Sequence, residues 1–505
     1  MTNALTLPLW QVRQPADLFT STLPAHADVV VIGAGVAGLV TALNCARDGR
    51  SVLVVERDVV GGGESGRTTA HLASALDDRY HALARLHGED GARLAAESHA
   101  AAIDWIESFT AQAEDGCGFR RVPGYLFTCH DDIRGLRAEA QAAAKAGLSA
   151  SYLEQGIPGL PALGPAVRFD RQGRVDMGRY LEELLSACRA AGVRFARGNA
   201  VDVQGGAPAQ VGLESGQHVQ AGAVVVASNV PFHERIAIHT KQAPYRSYVV
   251  AGPVAGGALP DALIWDDGDP YHYVRLAEDP QEGTTRVIIG GEDHKVGQSE
   301  DTEAFPRLQQ WAREHLPGVE RFDYGWSGQI LEPADGMAFI GADPGGEQNV
   351  YVITGDSGNG VTHGTLGGLL VADLIAGHDN RWAALYAPDR KILKGGREWL
   401  RENANVAAQY RDWVAPGDEA AESLARGEGA VVRRGVHRIA TYRDGEGNLH
   451  QFNARCPHMG CAVRWSPQEK SWDCPCHGSR FEARSGQVLN GPASTPLARW
   501  EDESR

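Results

Sequence analysis

The sequence has fewer basic than acidic residues, 48 Lys and Arg against 64 Asp and Glu, and its formal net charge is -16. An excess of negative charge repels phosphate backbones and anionic lipids, so a nucleic-acid-binding protein is not expected. The sequence also lacks a long hydrophobic run free of glycine. Its most apolar window, residues 29–46, contains glycines at fixed spacing, and we predict no membrane span. Residues 1–23 show no basic region followed by an apolar stretch, so we expect no signal peptide and a cytoplasmic protein.

Cysteine is also scarce, with eight residues in a chain of 505. A disulfide-rich secreted scaffold is therefore excluded. Four cysteines are scattered singly through the first part of the chain, as small buried hydrophobic residues are. The other four crowd together near the C-terminus with two histidines among them. That cluster needs a chemical explanation.

The chain is longer than a single hydrophobic core supports, so more than one domain is expected. The apolar runs 28–32 and 51–56 flank a glycine turn and a helical pattern, which predicts a βαβ unit. Residues 80–110 and 134–146 have the composition of helices. Short alternating stretches between residues 241 and 291 predict antiparallel strands.

Near Ala415 the pattern changes from polar helix to short strands with turns. We therefore predict an N-terminal arm, residues 1–25, which packs loosely. The main domain is expected over residues 26–395, with two interleaved parts. A linker, 396–416, and an all-β domain, 417–505, follow it.

Gly33, Gly35 and Gly38 form a Gly-x-Gly-x-x-Gly motif directly after the first predicted strand. The first glycine permits the tight turn, the second lets the backbone approach a pyrophosphate, and the third lets the helix pack close to its strand. The phosphates then lie at the helix N-terminus. Glu56, at the end of the second strand, is placed to accept hydrogen bonds from ribose hydroxyls. NADP is disfavoured because its 2′-phosphate would meet this carboxylate.

Two further loops favour a flavin over NAD. Residues 61–69 form a second loop of small and hydroxyl side chains that could wrap a pyrophosphate, and residues 354–364 lead into a helix that could meet a ribityl chain. Together with the glycine motif and residues 335–341, they resemble the D-amino-acid oxidase and glycine oxidase family of FAD-dependent oxidoreductases. The resemblance covers residues 27–390.

This resemblance implies an α/β, Rossmann-like FAD domain built from separated segments, with an antiparallel sheet of the substrate domain over the isoalloxazine. It implies that Val201 contacts adenine through its backbone. His71 directly follows the second loop; it could carry FAD covalently, as in some relatives, or be an ordinary packed histidine. The remaining residues that the resemblance places on FAD are Arg67, Thr68, Thr69, Gly355, Asn359 and Gly360.

Two short loops near the C-terminus each combine a cysteine and a histidine, which gives the ligand set Cys456, His458, Cys474 and His477. Two cysteines and two histidines suit zinc or a Rieske 2Fe-2S centre, in which two thiolates hold one iron and two imidazoles hold the other. The leftover Cys461 and Cys476, one in each loop, favour the Rieske centre, since a zinc site has no use for them.

Residues 417–497 resemble Rieske domains of the cytochrome bc type, through both loops, the run 478–481 and the proline-bearing loop 491–497. The resemblance implies that Cys456 and Cys474 hold the inner iron and that His458 and His477 hold the outer one. It also implies a disulfide between Cys461 and Cys476. Cytosolic thiol buffers oppose such a bond, so it must be shielded or favoured by geometry.

His233 and His239 have the residue type of a mononuclear iron site. They lack a suitable upstream aspartate, and their spacing does not fit that site. We expect them on a helix face after the strand that ends at Ser228. Without that iron site, an oxygenase is not expected.

Alternation in the middle sheet puts Arg246 and Tyr248 on one face of a strand, and Tyr271, Tyr273 and Arg275 on one face of another. An arginine beside tyrosines above a flavin could clamp a substrate carboxylate. Arg246, Tyr248 and Arg275 are therefore the candidate catalytic residues. Solvent-facing strand residues are the alternative.

The two resemblances together predict a two-cofactor dehydrogenase. FAD would oxidise a C–N bond in a small amino acid or amine, and the cluster would relay single electrons to an unknown acceptor, because histidine ligation gives a Rieske centre a high potential. One alternative reverses the flow, with a ferredoxin or quinone feeding a flavin reductase through the cluster. Another treats the C-terminal module as a redox sensor or docking domain.

Overall fold

The computed structural model describes residues 8–233, 237–279, 283–392, 396–413 and 423–501. Strands of the main domain come first: β1 (His26–Ile32), β2 (Val52–Glu56), β3 (His71–Leu72), β4 (Arg120–Phe127), β5 (Ala150–Leu153), β6 (Ala166–Arg174), β7 (Arg194–Arg197), β8 (Ala200–Gln204), β9 (Ala209–Leu213), β10 (His218–Val226), β11 (Gln242–Val254), β12 (Leu263–Trp265), β13 (His272–Asp279), β14 (Thr284–Lys295), β15 (Tyr324–Pro333), β16 (Phe339–Ala342) and β17 (Val350–Thr354). The C-terminal strands are β18 (Gly429–Arg434), β19 (His437–Arg443), β20 (Leu449–Asn453), β21 (Arg464–Ser466), β22 (Ser471–Asp473), β23 (Arg480–Glu482) and β24 (Val488–Asn490).

The α-helices are α1 (Val36–Arg47), α2 (Tyr80–Thr110), α3 (Ile133–Lys145), α4 (Met177–Ala190), α5 (Ala304–His315), α6 (Gly360–Ala376), α7 (Ala383–Tyr386) and α8 (Gly396–Gln409). The helices predicted over 80–110 and 134–146 are thus confirmed as α2 and α3. Among the residues described, no helix is both long and apolar enough to cross a bilayer.

The first sheet has the order β16-β17-β10-β1-β2-β7, and β9 pairs with β10 and β8 at its side. Strands β7, β2, β1, β10 and β17 run parallel. Both faces of a parallel sheet are covered, which is why β1 and β2 are apolar almost throughout. The predicted βαβ unit is confirmed as β1, α1 and β2. Helix α6 packs so closely on α1 that a Cβ on Gly368 would clash with Val40 and Thr41.

The second sheet has the order β15-β11-β14-β13-β12-β4-β6-β3. Its pairs are antiparallel, as predicted, except for the parallel pair of β12 and β4. Helix α5 covers one face through Leu308 and Ala312. The other face turns toward the first sheet, so a cleft forms between the two.

Part of the N-terminal arm is packed, and the expectation of loose packing is wrong at Trp10 and Leu18. Trp10 is 6% exposed and donates its indole N–H to the Thr68 carbonyl at 2.6 Å. Leu18 is buried in the same core, and the N–H of Thr20 bonds to the carbonyl of Phe195. Burial of the Trp10 ring is favourable because its large apolar surface leaves water while its N–H keeps a hydrogen bond.

The C-terminal domain is all-β, as predicted, with one antiparallel sheet of β18, β19 and β20 and another of β21 to β24. Residues 454–463 form the loop between β20 and β21, and residues 474–479 form the loop between β22 and β23. Helix α8 and the turn at Tyr410–Trp413 occupy the predicted linker. The boundary expected near Ala415 lies outside the described residues.

Trp10→Ala should lower the free energy of unfolding of the main domain by about 3 kcal/mol, because a buried aromatic ring leaves a cavity. Urea titration followed by circular dichroism measures this change. Val436→Ala is the control, since Val436 is 84% exposed. Equal midpoints for the two variants would show that the arm contributes nothing to the core.

Candidate active site and metal centre

A cavity of about 940 Å³ lies between the two sheets and the C-terminal domain. Its size is at the upper end of cofactor sites. It includes most of the residues predicted to contact a dinucleotide: Gly33, Gly35, Glu56, Arg67, Thr68, Thr69, His71, Asn359 and Gly360. The two predicted loops and the glycine motif, far apart in the chain, therefore meet in one place.

The glycine motif has the close contacts that its chemistry requires. Gly33 has φ +104°, and a Cβ there would lie 2.6 Å from the carbonyl oxygen of Ala227. A Cβ on Gly38 would lie 1.9 Å from the carbonyl oxygen of Gly33, so only glycine lets α1 approach β1 this closely. Gly38 is not part of the cavity wall, which agrees with its predicted packing role.

Glu56 closes the glycine turn from the end of β2. Its carboxylate accepts the N–H groups of Ala34 and Asp58, each at 2.8 Å, and it remains on the cavity wall. The N-terminus of α6, at Gly360, reaches the same cavity. Two helix N-termini facing one cavity favour an anionic group such as a pyrophosphate.

The second centre lies between the two C-terminal loops. The N–H of Cys456 bonds to the carbonyl of Cys461 at 2.9 Å, and the N–H of Cys474 bonds to the carbonyl of Ser479 at 2.7 Å. Each loop is therefore folded back on itself, which brings the thiols of Cys456 and Cys474 together. The disulfide between Cys461 and Cys476, implied by the resemblance, is confirmed.

The histidines of these loops meet above the thiols. The rings of His458 and His477 have centroids 5.0 Å apart and are nearly perpendicular. Among the described residues, the buried Nδ1 of His477 has no hydrogen-bond partner. Burial, and then the charge of His239, lowers the pKa of His477 to about 4. A neutral imidazole with an unused buried nitrogen beside two thiols fits a metal centre with mixed sulfur and nitrogen ligands.

Comparison with known families agrees with both sites. The family described as FAD dependent oxidoreductase matches residues 28–374, more than half of the chain. The chain belongs to this family. Residues 416–501 match the Rieske [2Fe-2S] domain. The expected cofactors are therefore FAD and a 2Fe-2S cluster, and zinc is set aside.

Relatives share one domain or both. The putative Rieske 2Fe-2S iron-sulfur protein YhfW of Bacillus subtilis is 29% identical over 94% of this chain and 93% of its own. The gamma-glutamylputrescine oxidoreductase of Escherichia coli is 26% identical over 73% of this chain and 88% of its own. The glycine oxidase structure from Geobacillus kaustophilus shares the fold, with a TM-score of 0.62 at 19% identity, over 73% of this chain and all of that one.

Two residues placed on FAD by the resemblance lie beside the flavin cavity without forming its wall. The wall runs through residues 198–200 and ends one residue before Val201. Gly355, with φ +75°, makes the turn that leads to Asn359 and Gly360. Its contacts are with Pro333 and Phe339 rather than with the cavity.

His71 faces the flavin cavity and is held at both ring nitrogens. Nδ1 pairs with the hydroxyl of Thr69 at 3.0 Å, and Nε2 pairs with the carbonyl of Val274 at 3.3 Å. Burial, and then the charge of Arg275, lowers the pKa of His71 to about 3. The imidazole is therefore neutral and packed edge-on against Tyr273.

The three catalytic candidates do not form the predicted clamp. Arg246 reaches the cavity wall, but its guanidinium binds Ser327 and, at 3.0 Å, Glu469 of the Rieske domain. Tyr248 is not on that wall and packs against Phe305 and His294. The β-bulge beside them adds its extra residue to β14, while β11 pairs without interruption with β15, so the alternation of Arg246 and Tyr248 holds but the partners of their face are Glu469 and α5 instead of a substrate.

Arg275 has a structural use. It is buried, donates to the carbonyls of Thr69, Val175 and Leu276, and stacks over the ring of Trp10. The alternation of side chains along the strand predicts that Arg275 shares a face with Tyr271 and Tyr273, and those two tyrosines do line the cavity. Arg275 therefore fixes the second loop from behind instead of facing a substrate.

Sequence patterns missed an acidic end of the flavin cavity. Asp77 and Asp356 lie on its wall near Tyr271 and Tyr273. Burial, and then the charge of Asp78, raises the pKa of Asp77 to about 7. Burial raises the pKa of Asp356 to about 6. No motif could have revealed this grouping, because the two acids come from opposite ends of the main domain.

The histidine pair that was expected on a helix face has other roles. His233 pairs with Asp343 at 3.0 Å. His239 lies in a turn before β11, buried against the Rieske domain, with ring centroids 4.9 Å from His458 and 5.8 Å from His477. The expected helix is wrong for residues 237–241, while residues 234–236 lie outside the described part of the chain.

The loop after Cys474 is docked on the main domain. The side-chain amide of Gln329, which lines the flavin cavity, donates to the carbonyl of Gly478 at 3.0 Å. That carbonyl belongs to the residue directly after His477. A Cβ on Gly478, which has φ +78°, would lie 2.4 Å from the Cβ of Pro244. One side chain thus connects the cavity wall to the loop of the second centre.

Gly478→Ala should loosen this contact without removing a cluster ligand. Overpacking costs about 1–3 kcal/mol, so hydrogen exchange in β11 should become about tenfold faster. Gly435→Ala is the matched control, because Gly435 also has positive φ, +61°, but has no neighbouring atom within 4 Å of such a Cβ. Equal exchange in the two variants would contradict the docking role of Gly478. The cluster EPR spectrum verifies that both variants keep their iron.

Proposed function

We propose that this protein oxidises an amine at its C–N bond with FAD held in the cavity, and that the electrons leave singly through the Rieske domain. When bound, FAD accepts the hydride of the substrate carbon, and a 2Fe-2S cluster carries one electron at a time. The proposal is supported by two of the similar proteins, a gamma-glutamylputrescine oxidoreductase and a glycine oxidase, which are named for an amine and an amino acid.

The residues that would hold FAD follow from the cavity wall. Gly33, Gly35 and the N-terminus of α1 would take the pyrophosphate. Glu56 would receive the ribose of the adenosine half. Arg67, Thr68 and Thr69 would enclose the pyrophosphate from the second loop, and Asn359 with Gly360 would meet the ribityl chain. Because both nitrogens of His71 already have partners, we propose a non-covalent flavin.

The residues that would hold the cluster are Cys456 and Cys474 on one iron and His458 and His477 on the other. The Cys461–Cys476 disulfide ties the two ligand loops together from outside this set. The docked position of the second loop carries the relay proposal. Gln329 lines the flavin cavity, and its side-chain amide donates to the residue after His477, so the two proposed centres would share one wall.

The acidic end of the flavin cavity favours a cationic substrate group. Asp77 and Asp356 lie on the wall, while Arg246, the cation proposed for a carboxylate clamp, is already paired with Glu469. A substrate ammonium group beside these two buried carboxyls would supply the positive charge that Arg246 does not provide. We therefore favour an amine over a simple amino acid as the substrate class.

The relay is tested by anaerobic photoreduction of the flavin, followed by optical and EPR detection of the reduced cluster. We expect cluster reduction at a rate independent of protein concentration, because both centres belong to one docked chain. Cys456→Ser, which removes a cluster ligand, should leave the flavin reduced. A rate that rises with protein concentration, or no reduced-cluster signal, would contradict the relay.

The same preparation distinguishes the alternatives. Midpoint potentials should place the cluster above the flavin; the reverse order would favour a flavin reductase fed through the cluster. Normal turnover with an external acceptor in the Cys456→Ser protein would favour a sensor or docking role for the Rieske domain.

Binding of a trimethylammonium compound should strengthen as pH rises through about 7, because Asp77 with its raised pKa becomes charged there. This ligand has no titrating proton of its own, so the change belongs to the protein. Between pH 6 and pH 8 we expect about a tenfold change in Kd, measured by flavin absorbance. Asp77→Asn should abolish most of that change, and Asp17→Asn, at an exposed site, should leave it intact. A flat pH profile in the unmodified protein would exclude an ionising acid at this end.

A further inference from the structure

The Rieske domain supplies part of the wall of the flavin cavity. Residues 487–491 and 493–494 line it beside Glu56 to Asp58 and residues 198–200, with which they share hydrogen bonds. This is the end of the cavity where Glu56 would receive the adenosine ribose. We name residues 487–494 the closing loop. The closing loop is separate from the two loops that would hold the cluster.

Three hydrogen bonds hold the closing loop across the main domain. Arg57 donates to the carbonyl of Leu489 at 3.1 Å, and Asn199 donates to the carbonyl of Ser494 at 3.0 Å. The amide of Asn490 donates to Glu64 at 2.7 Å. These partners stand on three different segments of the FAD domain, so the loop spans the opening rather than touching one edge of it.

Leu489 leaves an apolar surface at this opening. Its side chain is 43% exposed, although it belongs to the cavity wall. A large apolar side chain with this much exposure beside a cavity can gain free energy by packing against a ligand. The flat face of an adenine ring is such a ligand, and the polar groups around it would orient the sugar.

The closing loop is anchored to the strand pair that carries the second ligand loop. Strand β24 pairs with β23, and Arg480 donates to the side-chain oxygen of Asn490 at 3.2 Å. The N–H of Ala493 bonds to the hydroxyl of Ser479 at 3.0 Å. Ser479 ends the loop that contains Cys474 and His477. The loop can therefore keep its place only while the Rieske domain is folded and docked.

We propose that the closing loop completes the adenosine end of the FAD site, so that one flavin is held by both domains. This inference rests on the proposed placement of FAD in the cavity. It assigns Leu489 to the adenine and makes FAD retention depend on Rieske docking. A cofactor enclosed by two domains leaves only when their contact opens, so release should be slow in the intact protein.

The test compares FAD release from holoprotein variants after dilution, followed by the recovery of free-FAD fluorescence. Leu489→Ser should release FAD about fivefold faster, or about 1 kcal/mol. Val436→Ser is the control, because it also replaces an aliphatic residue by serine on the same domain, at an 84% exposed site. Release at equal rates in Leu489→Ser and Val436→Ser would overturn the proposal. The Rieske EPR spectrum checks that each variant is folded.

A second variant acts on another contact of the closing loop. Asn490→Asp places a carboxylate against Glu64, where Asn490 now donates, and like charges should open the loop. Faster release is expected here as well, and unchanged release would count against the loop as a closure. If acid precipitation leaves the flavin attached to the protein, free-FAD fluorescence does not report release. The rate at which a nucleotide pyrophosphatase cleaves the bound FAD is then measured instead, with the same expected order of variants.

Gly35→Val separates this inference from the placement of FAD. A Cβ on Gly35 would lie 2.8 Å from the hydroxyl of Ser65. The branched side chain of valine would in addition fill the position proposed for the pyrophosphate. Loss of FAD in Gly35→Val with unchanged release in Leu489→Ser would keep the placement and reject the closing loop. Normal FAD content in Gly35→Val would reject the placement itself.

Discussion

A buried group of charges at the domain boundary fixes the relation between the two redox domains. Glu469 of the Rieske domain pairs with Arg246 of the sheet at 3.0 Å and with Arg480 of its own domain at 3.1 Å. Burial opposes ionisation of Glu469, but these two arginines outweigh it and lower its pKa to about 2. Removing one partner of such a buried pair leaves an uncompensated charge. The pairing therefore holds the Rieske domain in one register against β11 and β15.

This register determines which loop of the Rieske domain faces the flavin cavity. With Glu469 fixed, the loop after Cys474 reaches Gln329, and His239 comes to rest against the histidines of both ligand loops. The histidine edge is thus covered by the main domain. In the proposed relay, electrons from the flavin would have a short route through these protein groups, and an external acceptor would approach the Rieske domain from another direction.

The sequence allowed the prediction of features that depend on local chemistry. The glycine turn at Gly33 to Gly38 and the loops around Cys456 and Cys474 are short segments whose residue types are dictated by the group they bind. What could not be predicted depends on distant contacts. Glu469, which pairs with Arg246, lies 223 positions further along the chain, and the carbonyls of Thr69 and Val175 that Arg275 binds lie 206 and 100 positions away. Alternation alone therefore assigned both arginines to the wrong task.

The contacts between the Rieske domain and the main domain could not be predicted from the sequence for the same reason. Glu469 and Leu489 have no motif around them, and their importance comes from the partners that the fold supplies. Spacing within the sequence predicts no mononuclear iron site at His239. Its place beside His458 follows only from how the two domains meet, and periodicity within one domain carries no information about that.

The linker reinforces this fixed geometry. Helix α8 is bonded to both sides, since Glu402 pairs with Lys295 of β14 and Gln409 accepts from Arg464 of the Rieske domain at 2.9 Å. A flexible tether would only raise the local concentration of one domain around the other. A bonded helix instead holds the separation of the two domains constant. In the proposed relay, transfer between the centres would then be governed by distance and not by diffusive search, and electrons could pass singly without the domains having to part.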